Sequence, residues 1–167
     1  MNKYVKKLFE LFDTKNYKYI EYDKIKKRHV FQFEIDNYKY LCYLNNMTLN
    51  SYYLSFCLID ENNIEKYNII NDENIQKFKV FGNVKNIVDD FIKNKNIDFL
   101  GFVCLENERQ WLYIDYGKYL ASTFNMNLFS KRDKNRTFYW VSSKNIGNFL
   151  LKTYEKELLR NSEKSNK

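Results

Sequence analysis

Residues 97–105 read Ile-Asp-Phe-Leu-Gly-Phe-Val-Cys-Leu, a nearly unbroken apolar run. A strand with one wet face alternates apolar and polar residues, so a run without alternation belongs to a strand covered on both faces. Apolar partners must therefore lie above and below it. Val84, Ile87, Val88, Phe91 and Ile92 recur at helical spacing before the run, and Leu112, Tyr116, Tyr119 and Leu120 after it. The spacing predicts helices over 84–94 and 108–123, Asn83 capping the first, with 97–105 as the central strand of a sheet.

Upstream the period drops to two. Residues 17–23 alternate as a first strand; 29–35 place Phe31, Phe33 and Ile35 on one face, and 38–44 do the same with Tyr38, Tyr40, Cys42 and Leu44. Asp36-Asn37 is the turn between them, and Tyr52, Leu54, Phe56 and Leu58 follow the Asn45-Asn46 break as the next face of an antiparallel meander. Residues 60–74 read as a polar surface excursion with a short strand near Tyr67–Ile70, and 124–129 with 136–142 as a closing hairpin around the loop 130–135. Val5, Leu8, Phe9 and Phe12 predict a short N-terminal helix, 144–160 a last helix and 161–167 a frayed tail. The chain has no proline and four glycines, so Asn, Asp and Ser must make its turns. The expectation is one α+β domain over 1–160, a mostly antiparallel sheet with helices packed on it.

From Val80 to Val141 the order is helix, buried strand, helix, hairpin. That order, carried by Val80-Phe81, Val84, Ile87-Val88, Asp90-Phe91, Ile97–Val103 and Arg109 with Tyr113, resembles the C-terminal half of the GNAT acetyltransferase fold. Residues 29–141 also resemble small uncharacterised proteins common in bacteriophage genomes. The first resemblance implies a GNAT-like β-α-β-α-β arrangement, in which a glycine-rich turn at a helix N-terminus cradles the pyrophosphate of acetyl-CoA. The corresponding segment here, Phe81-Gly82-Asn83-Val84-Lys85-Asn86, has a single glycine. No cofactor is expected.

The chemistry-bearing residues are sparse. His29 is the only histidine, which excludes any two-histidine mechanism and leaves no evident triad. Asp89-Asp90 and Asp60-Glu61 read as solvated surface, since adjacent acids on a helix diverge, and no metal site is expected. Cys42, Cys57 and Cys104 lie in apolar strands, unspaced for zinc or a redox pair, and read as core. Arg109 and Tyr113, four apart on a helix, read either as an anion anchor or as a guanidinium packed on a ring.

The net charge is +7, but abundant Asn, Lys, Tyr, Ile and Phe also follow from AT-rich codons. What remains is two short basic runs, Lys24, Lys26, Lys27 and Arg28, then Lys131, Arg132, Lys134 and Arg136, each beside aromatic strands. Charges that bind phosphate next to rings that stack on bases suit nucleic acid, and they suit an acidic protein surface equally. Of the two, the 131–136 hairpin tip is expected to matter more, because it projects. No signal peptide or span of ~18 apolar residues is visible, so a cytoplasmic protein without membrane partners is expected. The expected function is a non-catalytic phage or mobile-element accessory protein that binds and modulates a host protein or nucleoprotein, in the manner of an anti-CRISPR inhibitor. A GNAT-type acyltransferase with a degenerate cofactor loop and a direct nucleic-acid binder are the alternatives. The sequence does not fix an oligomeric state.

Overall fold

Aromatic side chains alternating with polar ones favour pleated backbone, where bulky rings pack on cross-strand neighbours. The computed structural model follows that pattern through the first half of the chain. It describes residue 7 and residues 15–48, 50–67, 74–104, 110–134, 136–143 and 152–156. The strands are β1 (Tyr17–Asp23), β2 (Arg28–Ile35), β3 (Tyr38–Thr48), β4 (Ser51–Ile59), β5 (Glu65–Tyr67), β6 (Phe99–Cys104), β7 (Asn127–Asp133) and β8 (Arg136–Ser142). The helices are α1 (Asn74–Asn94) and α2 (Gln110–Phe124). The fold is mixed α+β, with a mostly antiparallel sheet ordered β1-β2-β3-β4-β6-β8-β7 and β5 pairing β4. β4 and β6 run parallel through Ser51↔Phe99 to Tyr53↔Gly101.

The chain divides into two compact units. One holds residues 2–45 and 55–96. In it the β2–β3 register puts Phe31 opposite Cys42 and Phe33 opposite Tyr40, and all four are buried. α1 covers this side of β2: Phe91 meets Phe31 edge-on, with ring centroids 6.3 Å apart. Phe81 meets Phe56 edge-on at 6.0 Å. The opposite side of the strands buries Val30, Tyr43 and Cys57.

Helix α1 starts at Asn74, ten residues before the expected 84, and runs straight through Gly82 and Asn83. Asn83 is not a cap; its Nδ2 donates to the Lys79 carbonyl one turn back, at 3.0 Å. An interior glycine disfavours a helix by about 1 kcal/mol. Burial of Val80, Phe81 and Val84 around it outweighs that. β3 likewise continues to Thr48, through the Asn45-Asn46 pair read as a break. Asn45 stays in the strand because its Nδ2 donates to Ser55 Oγ at 3.0 Å, so its amide is satisfied within the sheet.

The other unit holds residues 46–54 and the chain from 97 on. Here β6 is central, as expected, between β4 and β8. On one face Tyr154, in the helical turn 152–156, packs edge-on against Phe99 and Phe138 at 5.4 and 5.8 Å. Its hydroxyl donates to the Tyr139 carbonyl at 3.2 Å. Gly101 is required beneath that ring, because a Cβ there would lie 2.4 Å from it. On the other face Phe102 meets Tyr116 and Tyr139, both at 5.7 Å. The β7–β8 register reaches Asp133↔Arg136, so the loop expected over 130–135 is mostly strand. The N-terminal helix apart from residue 7, residues 68–70 of the short strand, most of the last helix and the tail 161–167 lie outside the described residues.

Candidate interaction surfaces on two hairpins

The turn joining β1 to β2 is held by one carboxylate. Asp23 Oδ1 accepts from the backbone N–H of Ile25 at 3.1 Å and of Lys26 at 3.0 Å. Lys27 takes the left-handed conformation, φ 50°, that reverses the chain. With the backbone so fixed, Lys24, Lys26 and Lys27 are exposed and Ile25 is 95% exposed at the tip.

Arg28 does not belong with them. It is buried as the first residue of β2, opposite Asp23. Its Nε lies 3.5 Å from Asp23 Oδ2, its Nη2 3.7 Å from Glu65 Oε1, and its guanidinium 3.6 Å above the Tyr43 ring. The Tyr43 hydroxyl donates to the same Glu65 oxygen at 2.6 Å. Spacing made it look like a fourth surface cation; strand alternation turned it inward.

A bulge shapes the neighbouring face. Tyr19 pairs with Phe31, but Glu21 pairs with Val30 and Tyr22 with His29, so Ile20 is an extra residue. In an unbroken strand Tyr19 and Glu21 would share a face. The inserted residue sends Glu21 to the far side and brings Tyr22 beside His29. Their rings lie 4.8 Å apart; Tyr19 is 6.0 Å from His29, and Phe91 of α1 lies 4.9 Å away on its other side. Tyr19 and Tyr22 are nonetheless 52% and 40% exposed, and the Tyr19 hydroxyl lies 3.3 Å from His29 Nδ1. Simple alternation over residues 17–23 does not reveal the pair, because no local signal marks the bulge.

Burial, reinforced by the charge of Lys95, lowers the His29 pKa below its ordinary 6.5. The unfolded chain then takes up a proton before the folded one does. Stability should therefore be complete above about pH 6.5 and fall as pH drops toward the lower folded value. His29→Gln should flatten that part of a melting-temperature profile, and an unchanged slope would show that another group sets it. The carboxylates act in a separate, more acidic window. Asp23 and Asp60 are lowered chiefly by the backbone N–H groups of Lys26 and Ile64, and Asp90 by the Tyr17 hydroxyl. Their contribution holds above the ordinary value of 3.8 and is lost only as pH falls below it.

The second basic run is dispersed. Lys131 and Arg132 are successive strand residues and point to opposite faces. Lys131 bonds Glu155 at 2.7 Å, on the face where Phe129 stacks on Trp140 at 5.6 Å. Arg136 bonds Asp133 at 3.1 Å and lies 5.2 Å from the centre of the Phe138 ring. Arg132 and Lys134 are exposed, Lys134 in the turn with φ 51°. Two of the four charges are thus neutralised by carboxylates.

Arg109 lies outside the described residues. Tyr113 is half-buried and stacks on Phe102 and Tyr139, at 6.2 and 6.5 Å, as a packing residue. The acids are also occupied. Asp89, expected on the solvated surface, is instead buried on α1 and bonds Lys85 at 3.0 Å; Asp90 accepts from Tyr17 and Lys15, and Asp60 caps the 60–64 turn and bonds Lys66 at 3.2 Å. All three cysteines are buried free thiols; burial pushes Cys57 up to about 12 and Cys42 higher still, away from thiolate chemistry. Among the described residues no three His, Cys, Asp or Glu side chains are grouped to hold a metal. Nor is any described helix long and apolar enough to cross a membrane. No family model, curated protein or solved structure matches the chain.

Proposed function

We propose that the chain is a non-catalytic binding protein that docks an anionic partner on the β1–β2 hairpin. The observation that carries this reading is the turn itself, with Lys24, Lys26 and Lys27 exposed around a 95% exposed Ile25, beside the exposed Tyr19 and Tyr22. An isoleucine held out by a carboxylate-locked turn gains nothing in folding, whereas it can be buried against a partner. In the phage accessory role that the sequence resemblance implies, the partner is a host protein or nucleoprotein.

Retention of the full chain on immobilised heparin, a generic polyanion, tests the reading. Reversal of Lys24, Lys26 and Lys27 to Glu is expected to lower markedly the salt needed for elution, with the melting temperature nearly unchanged. Reversal of Lys131, Arg132 and Lys134 is expected to have the smaller effect, because Lys131 is already paired. Equal elution of wild type and the first variant would remove the hairpin from consideration.

The parallel β4–β6 pair, with α1 between its strands in chain order and α2 after it, supports a second reading, a GNAT-type acyltransferase. Against it, the segment that the resemblance matched to the cofactor turn, Phe81 to Asn86, lies within α1. Backbone N–H groups there are spent on intrahelical bonds and cannot cradle a pyrophosphate. Acetyl-CoA at about 1 mM is therefore expected to leave the melting temperature unchanged, since a ligand of the folded state must raise it. A dose-dependent rise would put the acyltransferase reading first.

A further inference from the structure

We propose that the face formed by Tyr19, Tyr22 and His29 takes the unpaired bases of single-stranded nucleic acid. The proposal rests on the hairpin-docking reading above and names the chemistry of its partner. Three features point to it together. The first is a row of contiguous rings, with His29 between Tyr19 and Tyr22 at 6.0 and 4.8 Å and the two tyrosines about half open to solvent. The ring stands on a firm base, because Phe91 packs edge-on beneath His29 at 4.9 Å and Phe31 against Tyr19 at 5.2 Å. Supported, solvent-exposed rings are what sequence-tolerant base stacking uses.

The second feature is charge. Lys95 acts on His29 from the end of α1, and Lys24, Lys26 and Lys27 follow Tyr22 in the turn. Phosphates carried past the rings would meet these ammonium groups. The third is what the bulge removes. Glu21 would otherwise share the face of Tyr19, and the extra Ile20 sends it to the Val30 side. Asp90, the carboxylate nearest Tyr17, is engaged by that hydroxyl and by Lys15. The aromatic face is thus cleared of an acid that would repel phosphate. Bases locked in a duplex offer these rings no free face, so the occupant is a single strand. An acidic protein would use the lysines but has no need of exposed rings.

Fluorescence anisotropy with the full chain tests this, using a labelled oligothymidine of about 12 nucleotides and an abasic backbone of equal length. The base-bearing strand is expected to bind at least about tenfold more tightly, as one or two stacked bases provide. Y19A/Y22A should erase that preference while still binding the abasic strand, and Y19F/Y22F should retain it. Matching melting temperatures for the two double variants guard against unfolding. Equal affinity for both strands in the wild type would overturn the proposal and leave a phosphate-only surface. Heparin retention without binding to either strand would assign the hairpin to an acidic protein. Loss of heparin retention as well would instead remove the underlying hairpin reading.

Discussion

Truncation of Phe102 to alanine is expected to lower the unfolding free energy by about 3–5 kcal/mol, as emptying an aromatic core site does. The side chain is 2% exposed in the central strand and is enclosed by Tyr113, Tyr116 and Tyr139. Tyrosine rings are rigid and anchored on two elements, α2 and β8, so the cavity cannot close by side-chain rearrangement alone. Chemical denaturation at neutral pH reads the loss as a lower midpoint. Phe102→Leu, which keeps most of the volume, should cost well under half as much. A Phe102→Ala loss below about 1 kcal/mol would mean that β6 is not the centre of its unit.

Removing the Arg28 side chain, as Arg28→Ala, is expected to cost about 3 kcal/mol, the low end for breaking a buried ion pair. The low end applies because the side chains of Asp23 and Glu65 keep 21% and 32% exposure, so water can partly replace the guanidinium. Arg28→Met should be nearly as damaging, since it keeps the stem but leaves both carboxylates without their cation. The neighbouring reversal of Lys24, Lys26 and Lys27 should stay within about 1 kcal/mol of wild type. The contrast separates a structural cation from surface ones within five residues of sequence. Should Arg28→Ala unfold at the wild-type midpoint, the guanidinium is solvated and the contrast fails. It also shows why a reversal of all four cations together would confuse loss of binding with loss of fold.

Much of the fold was legible because the period of apolar residues is a local quantity. β1 begins and ends where alternation of residues 17–23 predicts, and the apolar run around Phe99–Cys104 forms the central strand that continuous hydrophobicity requires. Element ends were less legible, because polar residues that punctuate a sequence can be satisfied at a distance. Asn45 reads as a break until Ser55 is seen beside it, and Asn83 reads as a cap until its amide is found on Lys79.

The candidate site divides along the same line. By itself the sequence determined that the protein carries two clusters of cations beside aromatic strands, and that it has one histidine and buried thiols, because residue type and neighbourhood settle such matters. Which cations reach solvent was decided only by the tertiary structure. Arg28 turns inward because Asp23, Glu65 and Tyr43 converge from three separate strands, and Lys131 and Arg132 part because adjacent strand residues face opposite ways. The aromatic face was decided there too. One residue inserted opposite Phe31 and Val30 exchanges Glu21 for Tyr22, and a register shift belongs to a pair of strands, never to one strand's sequence.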